Sequence, residues 1–228
     1  MNYYNRPETS NSDLTRLALS YNALPDNRAE LMDIFNFGSL VDAFLSEYFR
    51  INPLTLTLRQ DIGPDLVYAA DIFLQADRLA DRCKKDPVIA EILKQMVGQY
   101  IFIRSLGFAY EGEEYTLRAR CKFDAYGKAL AMGADYKTTA CANAKQFREA
   151  ISFFHWDRQA AFYMDLARIE MFWIIGISKV TGEIFKHAIR RGDAVYLAGR
   201  AKYCFWAYRW KLLVEPFASD PSFLKLVA

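Results

Sequence analysis

The stretch Tyr115-Thr116-Leu117-Arg118-Ala119-Arg120-Cys121-Lys122-Phe123-Asp124, followed by Met132-Gly133-Ala134-Asp135-Tyr136-Lys137-Thr138, decides the fold. Tyr115, Leu117, Ala119, Cys121 and Phe123 alternate with Thr116, Arg118, Arg120, Lys122 and Asp124. A strict period of two puts each set on its own face, so Tyr115 to Tyr126 reads as a half-buried strand. Tyr126-Gly127-Lys128 begins a turn. Met132 to Thr138 is the next strand, paired with the first as a hairpin. Asp124 lies on the polar face of its strand. Asp135 and Lys137 are two apart and share a face. Adjacent strands run about 5 Å apart, which can bring all three side chains together.

Outward from this hairpin the period changes. Tyr100 to Phe108 is a β-branched and aromatic run. Lys145 to Arg168 reads as a helix, Met171 to Ser178 as a strand buried on both faces, Glu183 to Arg190 as another strand, and Asp193 to Val214 as a long aromatic-rich helix. Before Gln99 the pattern is helical. Ser10 to Asp13 offers N-cap side chains before Leu14 and Leu17. A second helix is predicted from near Ser39, a third over Pro64 to Cys83, and a fourth opened by Asp86-Pro87, since proline suits the first helical position. The core order is helix, strand, strand, strand, helix, strand. That order predicts an α/β fold, a mixed sheet with helices on its faces, after an N-terminal helical region. One domain is expected over 1–228, with a mainly helical part at 1–97 and the sheet and its helices at 98–228. Prolines such as Pro25, Pro53, Pro64, Pro216 and Pro221 lie at turns or near the ends.

Composition agrees with a packed domain. Of 228 residues 53% are hydrophobic and 15% aromatic, enough to offset ordering entropy and exclude disorder along most of the chain. A formal net charge of +2 is lower than a general polyanion binder usually carries, but carboxylates at a centre and bases around it would cancel in the sum. Cys83, Cys121, Cys141 and Cys204 lack C-x-x-C spacing and are expected as reduced, structural thiols. The first twelve residues have no apolar signal core, and no apolar run approaches the ~20 residues that span a bilayer. The expectation is a cytoplasmic protein with no membrane partner.

Two carboxylates and a lysine on one sheet face suit Mg²⁺ or Mn²⁺, which prefer hard oxygen ligands. Such an ion polarises a phosphate and lowers the pKa of a bound water, and Lys137 can orient that water and neutralise developing charge. A bare Asp…Asp-x-Lys match is more often a solvated strand face. Further features shift the balance. Gln159 and Tyr163 are four apart on a helix, so they share one face. Thr138 and Thr139 follow Lys137 and can contact phosphates. Asp42 lies on an early helix. Arg118, Arg120 and Lys122 share the face of Asp124 and are candidates for a DNA backbone, with a solvated face as the equal alternative. His155 and His187 read as ordinary histidines, and Tyr203, Trp206 and Trp210 as packing.

The ordered set Gly38-Ser39-Leu40-Val41-Asp42, Arg120-Cys121-Lys122-Phe123-Asp124, Asp135-Tyr136-Lys137-Thr138-Thr139 and Asp157 to Tyr163 resembles PD-(D/E)XK nucleases of the exonuclease VIII (RecE) and RecB-like type of phages and prophages. The likeness runs from about Asn11 through Lys211. It implies a restriction-endonuclease-like core, Mg²⁺ or Mn²⁺, and hydrolysis of DNA phosphodiesters. By motif position Asp124, Asp135, Lys137, Gln159 and Tyr163 are the implied catalytic set, and Asp42, Asp124, Asp135 and Tyr136 the implied metal set. It departs in three places. Phe123 stands where the motif has proline, Asp42 where RecB-type relatives carry a histidine ligand, and Gln99 where relatives often have glutamate. The spread of the cysteines predicts no iron–sulfur cluster. The expected activity is exonucleolytic, at duplex ends, in phage or prophage recombination. The alternatives are an endonuclease or branched-DNA nuclease, and an inactive DNA-binding module. Expected partners are DNA and a single-strand annealing protein, and the resemblance implies a homo-oligomer.

Overall fold

The computed structural model describes residues 3, 6–21, 28–46, 50–60 and 64–217. Pro25 and Pro221 lie outside the described residues. The first helix, α1 (Asn11–Tyr21), begins as its sequence suggests. Ser10 Oγ accepts from Asp13 N, and the Asp13 carboxylate accepts from Ser10 N at 2.7 Å, a reciprocal cap that satisfies two end donors. Helix α2 (Arg28–Ser46) corrects the expected start near Ser39. Gly38 and Ser39 sit inside it, and a Cβ on Gly38 would stand 3.4 Å from Thr138 Oγ1. The small pair marks a close passage over the sheet, inside a helix that was expected to begin there.

Three two-residue strands follow, β1 (Ile51–Asn52), β2 (Thr57–Leu58) and β3 (Leu66–Val67), paired antiparallel in that order. They were not expected. Helix α3 (Ala70–Lys85) therefore starts after Pro64 and after a strand, later than predicted. Proline biases the residue before it to extended backbone, and Pro64 belongs to the approach to β3. Helix α4 (Pro87–Gln95) matches expectation, with Asp86 accepting from Val88 N and Ile89 N.

The main sheet comprises β4 (Val97–Tyr110), β5 (Glu113–Gly127), β6 (Met132–Thr139), β7 (Met171–Ser178) and β8 (Ile184–Arg190), in that spatial order. Only the β6–β7 pairing is parallel. Their connection carries α5 (Ala144–Phe153) and α6 (Trp156–Ala167). One helix was expected there. Phe154 closes α5, and His155 turns the chain through a left-handed conformation at φ 57°. Helix α7 (Ala194–Leu213) is capped by Asp193, whose side chain accepts from Tyr196 N, and a short 3-10 turn, Glu215–Phe217, follows it.

This is a mixed α/β sheet with helices on both faces, a restriction-endonuclease-like architecture. One core packs α1, α5, α6 and α7 against the sheet through Leu14, Phe147, Phe162 and Tyr203. The other packs α2, α3 and α4 through Leu40, Phe73 and Ile89. Strand β7 serves both. Phe172 and Ile174 enter the first core, Ile175 and Ile177 the second, which is why its sequence is almost continuously apolar. Among the described residues no helix is long and apolar enough to cross a membrane.

Candidate functional site

The long antiparallel ladder between β4 and β5 is irregular at one point. Gly98 pairs with Ala125 and Tyr100 with Phe123, while Gln99 between them takes φ 54°. The left-handed region is costly for a residue with a Cβ, so the surrounding structure holds Gln99 there. On the other side of β5, the hairpin to β6 pairs only Gly127–Met132, Tyr126–Gly133 and Ala125–Ala134. The two strands diverge immediately before Asp124 and Asp135. Beyond the fork, Thr9 bridges Ala119 on β5, its N–H donating to Arg118 O at 3.0 Å.

The fork is where the acidic residues gather. Tyr136 N donates to Asp124 Oδ2 at 2.8 Å, so a side chain takes the place of the lost ladder partner. Lys137 Nζ stands 2.5 Å from Asp135 Oδ2, as their spacing on one strand face predicts. Gln159, from α6, donates through Nε2 to Asp135 Oδ1 at 2.7 Å. Asp42, from the last turns of α2, accepts from Gln99 Nε2 at 2.8 Å and from Ser46 Oγ at 2.9 Å. Its place near the end of a long helix follows from the earlier start of α2. A cavity of about 950 Å³ joins Asp42, Gln99, Asp124, Asp135 and Lys137, within the size range of ligand sites.

Electrostatics single out Asp124. Burial, then the like charges of Asp135 and Asp42, push its carboxyl well above the usual carboxylate range. The Lys137 ammonium and the Tyr136 N–H pull the other way and do not offset this. Acids are thus held together with one lysine among them. A hard divalent cation relieves such repulsion, and Mg²⁺ commonly takes one or two carboxylates and keeps several waters. Asp124 and Asp135 are suitable donors for that mode. Asp42 fits less directly, because both of its oxygens already accept hydrogen bonds. Among the described residues no group of three or more His, Cys, Asp and Glu side chains has metal-binding spacing.

Other candidate residues fall into two groups. Tyr136, Lys122 and Thr138 line the cavity with the acids. Thr139 also borders it, but its side chain is buried and its hydroxyl donates to Cys141 Sγ at 3.0 Å. Tyr163 is drawn into the core, edge-on to Phe123 at 5.0 Å, and does not border the cavity. Arg120 is buried too. Its guanidinium donates to the carbonyls of Arg6 and Glu8 and lies 3.5 Å from Asp13. The polar face of β5 is covered there by residues 6–13, so only Arg118 of the two arginines is exposed. Alternation revealed the face but not the distant segment that covers it.

Sequence reasoning missed Ser46, Gln146, Glu149, Lys179 and the aromatic residues Phe153, Phe154 and Trp156, which line or support the site. Lys179 had a readable signal. It follows β7 directly, beside Thr139 at the carboxyl ends of a parallel pair, where α/β sheets place ligands. Lys179 N donates to Thr139 O at 2.8 Å, and its ammonium lies 5.7 Å from the Phe37 ring centroid.

No protein-family model matches the chain, and no curated protein matches it. Its fold is similar to that of a phage-related exonuclease from Haemophilus somnus 129PT, at 13% identity and a TM-score of 0.40, over 62% of this chain and 72% of that one. It is also similar to an alkaline exonuclease from Laribacter hongkongensis, at 11% identity and a TM-score of 0.37, over 96% of this chain and 95% of that one.

Proposed function

We propose that the protein is a Mg²⁺- or Mn²⁺-dependent deoxyribonuclease, an exonuclease that hydrolyses phosphodiester bonds at duplex ends in phage or prophage recombination. The observation that supports it best is the meeting of Asp124, Asp135 and Lys137 at the fork between β5 and β6, in one cavity with Asp42. Asp124 and Asp135 would hold the ion, which supplies Lewis-acid polarisation of the scissile phosphate and a more acidic water.

The protein's own groups do the positioning. Gln159 donates to one oxygen of Asp135 and orients that carboxylate, and the Lys137 ammonium lies against the other, buried oxygen, which has no hydrogen-bond partner among the described residues. Tyr136 N–H fixes Asp124 in the same way. Lys137 carries the positive charge nearest the acids, where it can orient a water and balance charge developing on a phosphate oxygen. The tyrosine of the Gln-x-x-x-Tyr pair, Tyr163, supports the site from behind, through its contact with Phe123 next to Asp124. Lys122 and Thr138 are the DNA-contacting candidates at the cavity wall, and Arg118 lies farther along β5. A homo-oligomer and a single-strand annealing partner belong to this reading.

Lys137→Ala tests it on end-labelled linear duplex with Mg²⁺ or Mn²⁺. Wild type is expected to shorten the label and the variant to lose at least about 100-fold in rate, the scale of removing one preorganised charge-stabilising group. Equal degradation by both proteins overturns the assignment. A covalently closed circle separates the activities, since an exonuclease spares it and an endonuclease nicks it.

One observation favours a second reading. Both Asp42 oxygens and one Asp135 oxygen already accept hydrogen bonds within the protein, and the other Asp135 oxygen is ion-paired with Lys137, as suits a DNA-binding module of the same fold without catalysis. Calorimetric titration with Mn²⁺ decides between them. Binding that Asp124→Asn removes favours the nuclease, and no binding favours the module.

A further inference from the structure

We propose that Phe153, Phe154 and Trp156 form a stacking subsite for an unpaired nucleobase, beside the carboxylates at the fork. The nuclease reading supplies the polymer on which this rests. These three aromatics and the acids line the same cavity.

Their exposure needs a reason. Phe153 is 76% and Phe154 56% exposed, although each ring could gain by burial. Both lie at the break between α5 and α6. An unbroken helix would turn successive side chains about 100° apart round its axis and spread 153, 154 and 156 over nearly half its circumference. The left-handed turn at His155 instead leaves them on one cavity wall. The wall is ordered. Phe153 meets Phe154 edge-on at 4.9 Å, Phe154 stacks on Trp156 at 5.3 Å, and Trp156 meets the buried Phe147 at 5.8 Å. A chain of ring contacts thus ties an exposed platform to the core.

The rings and the cations beside them point to the occupant. Lys122, Lys137 and Lys179 line the same cavity as the rings, together with four carboxylates, Asp42, Asp124, Asp135 and Glu149. A nucleotide joins an anion to a flat, largely apolar ring, and these walls offer a partner for each portion. In a duplex the faces of the base are covered by its neighbours. An unpaired base, or one freed at a strand end, can present a face to the platform. Base–aromatic stacking is tolerant of sequence because every base has a π-face.

The test is fluorescence anisotropy in EDTA, with a labelled oligothymidylate and an abasic oligonucleotide of the same length. Wild type is expected to bind the base-bearing strand about 10-fold more tightly, the scale of one stacked base. Phe154→Ala should abolish that preference and leave the affinity for the abasic strand unchanged, while Phe154→Trp should keep it. Equal affinity of wild type for the two strands overturns the subsite and leaves DNA binding standing. Binding of neither strand, in EDTA or with Ca²⁺ in its place, overturns the DNA reading and the subsite with it. The comparison within wild type does not depend on how any variant folds.

Discussion

At the fork, strand alternation and i, i+2 spacing decide which side chains meet. Asp124, Asp135 and Lys137 meet as that period requires. Arg120 did not follow its period to solvent, because residues 6–13 arrive from far away in sequence to cover it. Asp165 shows the same limit away from the site. Nothing in its local sequence singles it out, yet it accepts from Arg191 and Tyr196 at 2.6 Å, from Arg200 at 3.2 Å and from Tyr203. Burial raises its pKa, but hydrogen bonds from Tyr196, Tyr203 and Arg191 outweigh burial and hold the carboxyl below its usual range. The unfolded chain therefore binds more protons between the two values, and stability rises with pH there. The contribution is present above an unfolded value of about 4 and is lost as pH falls through the folded one. Asp165→Asn should cost about 2 kcal/mol at neutral pH, as for hydrogen bonds to a charged group. Urea unfolding at pH 7 and pH 3 checks this, and a difference that does not shrink in acid counts against it. Tyr136 makes the opposite case. Its buried hydroxyl has no hydrogen-bond partner among the described residues, so Tyr136→Phe should leave stability equal or raise it by up to about 1 kcal/mol in the same measurement.

Elements were legible in kind and less so in extent. All five strands of the main sheet and the long last helix stand where they were expected, β5 from its alternation, β4 from its β-branched and aromatic run and β7 from its continuous apolar run. The start of α2 and the break between α5 and α6 did not, because tertiary packing decides both. Gly38 allows α2 to pass close over Thr138, and His155 accepts a left-handed backbone that propensity disfavours. Close approach also governs the contact of α6 with α7. A Cβ on Gly199 would stand 2.1 Å from Asp157 O and 2.4 Å from Asp157 C. These are backbone atoms at the start of α6 and cannot swing aside. Gly199→Ala should therefore destabilise by about 3 kcal/mol, although alanine is the better helix former by about 1 kcal/mol. Thermal unfolding measures it, and an unchanged or raised midpoint would contradict the packing described.

At the scale of the whole molecule, the mixed sheet and its helical faces were legible, since the order of strands and helices leaves few arrangements. The short sheet of β1 to β3 was not, because two-residue strands carry no period. The fork is fed from every layer. Asp42 comes from the α2 face, Gln159 from the α6 face, and Asp124, Asp135 and Lys137 from the sheet between them. During synthesis, Asp124 and Asp135 therefore enter one another's field as soon as β5 and β6 pair, whereas Asp42 adds its charge only when α2 has closed on one face of the sheet, and Gln159 braces Asp135 only when α6 has closed on the other. The site is assembled in stages, and the last of these partners to be synthesised is Gln159.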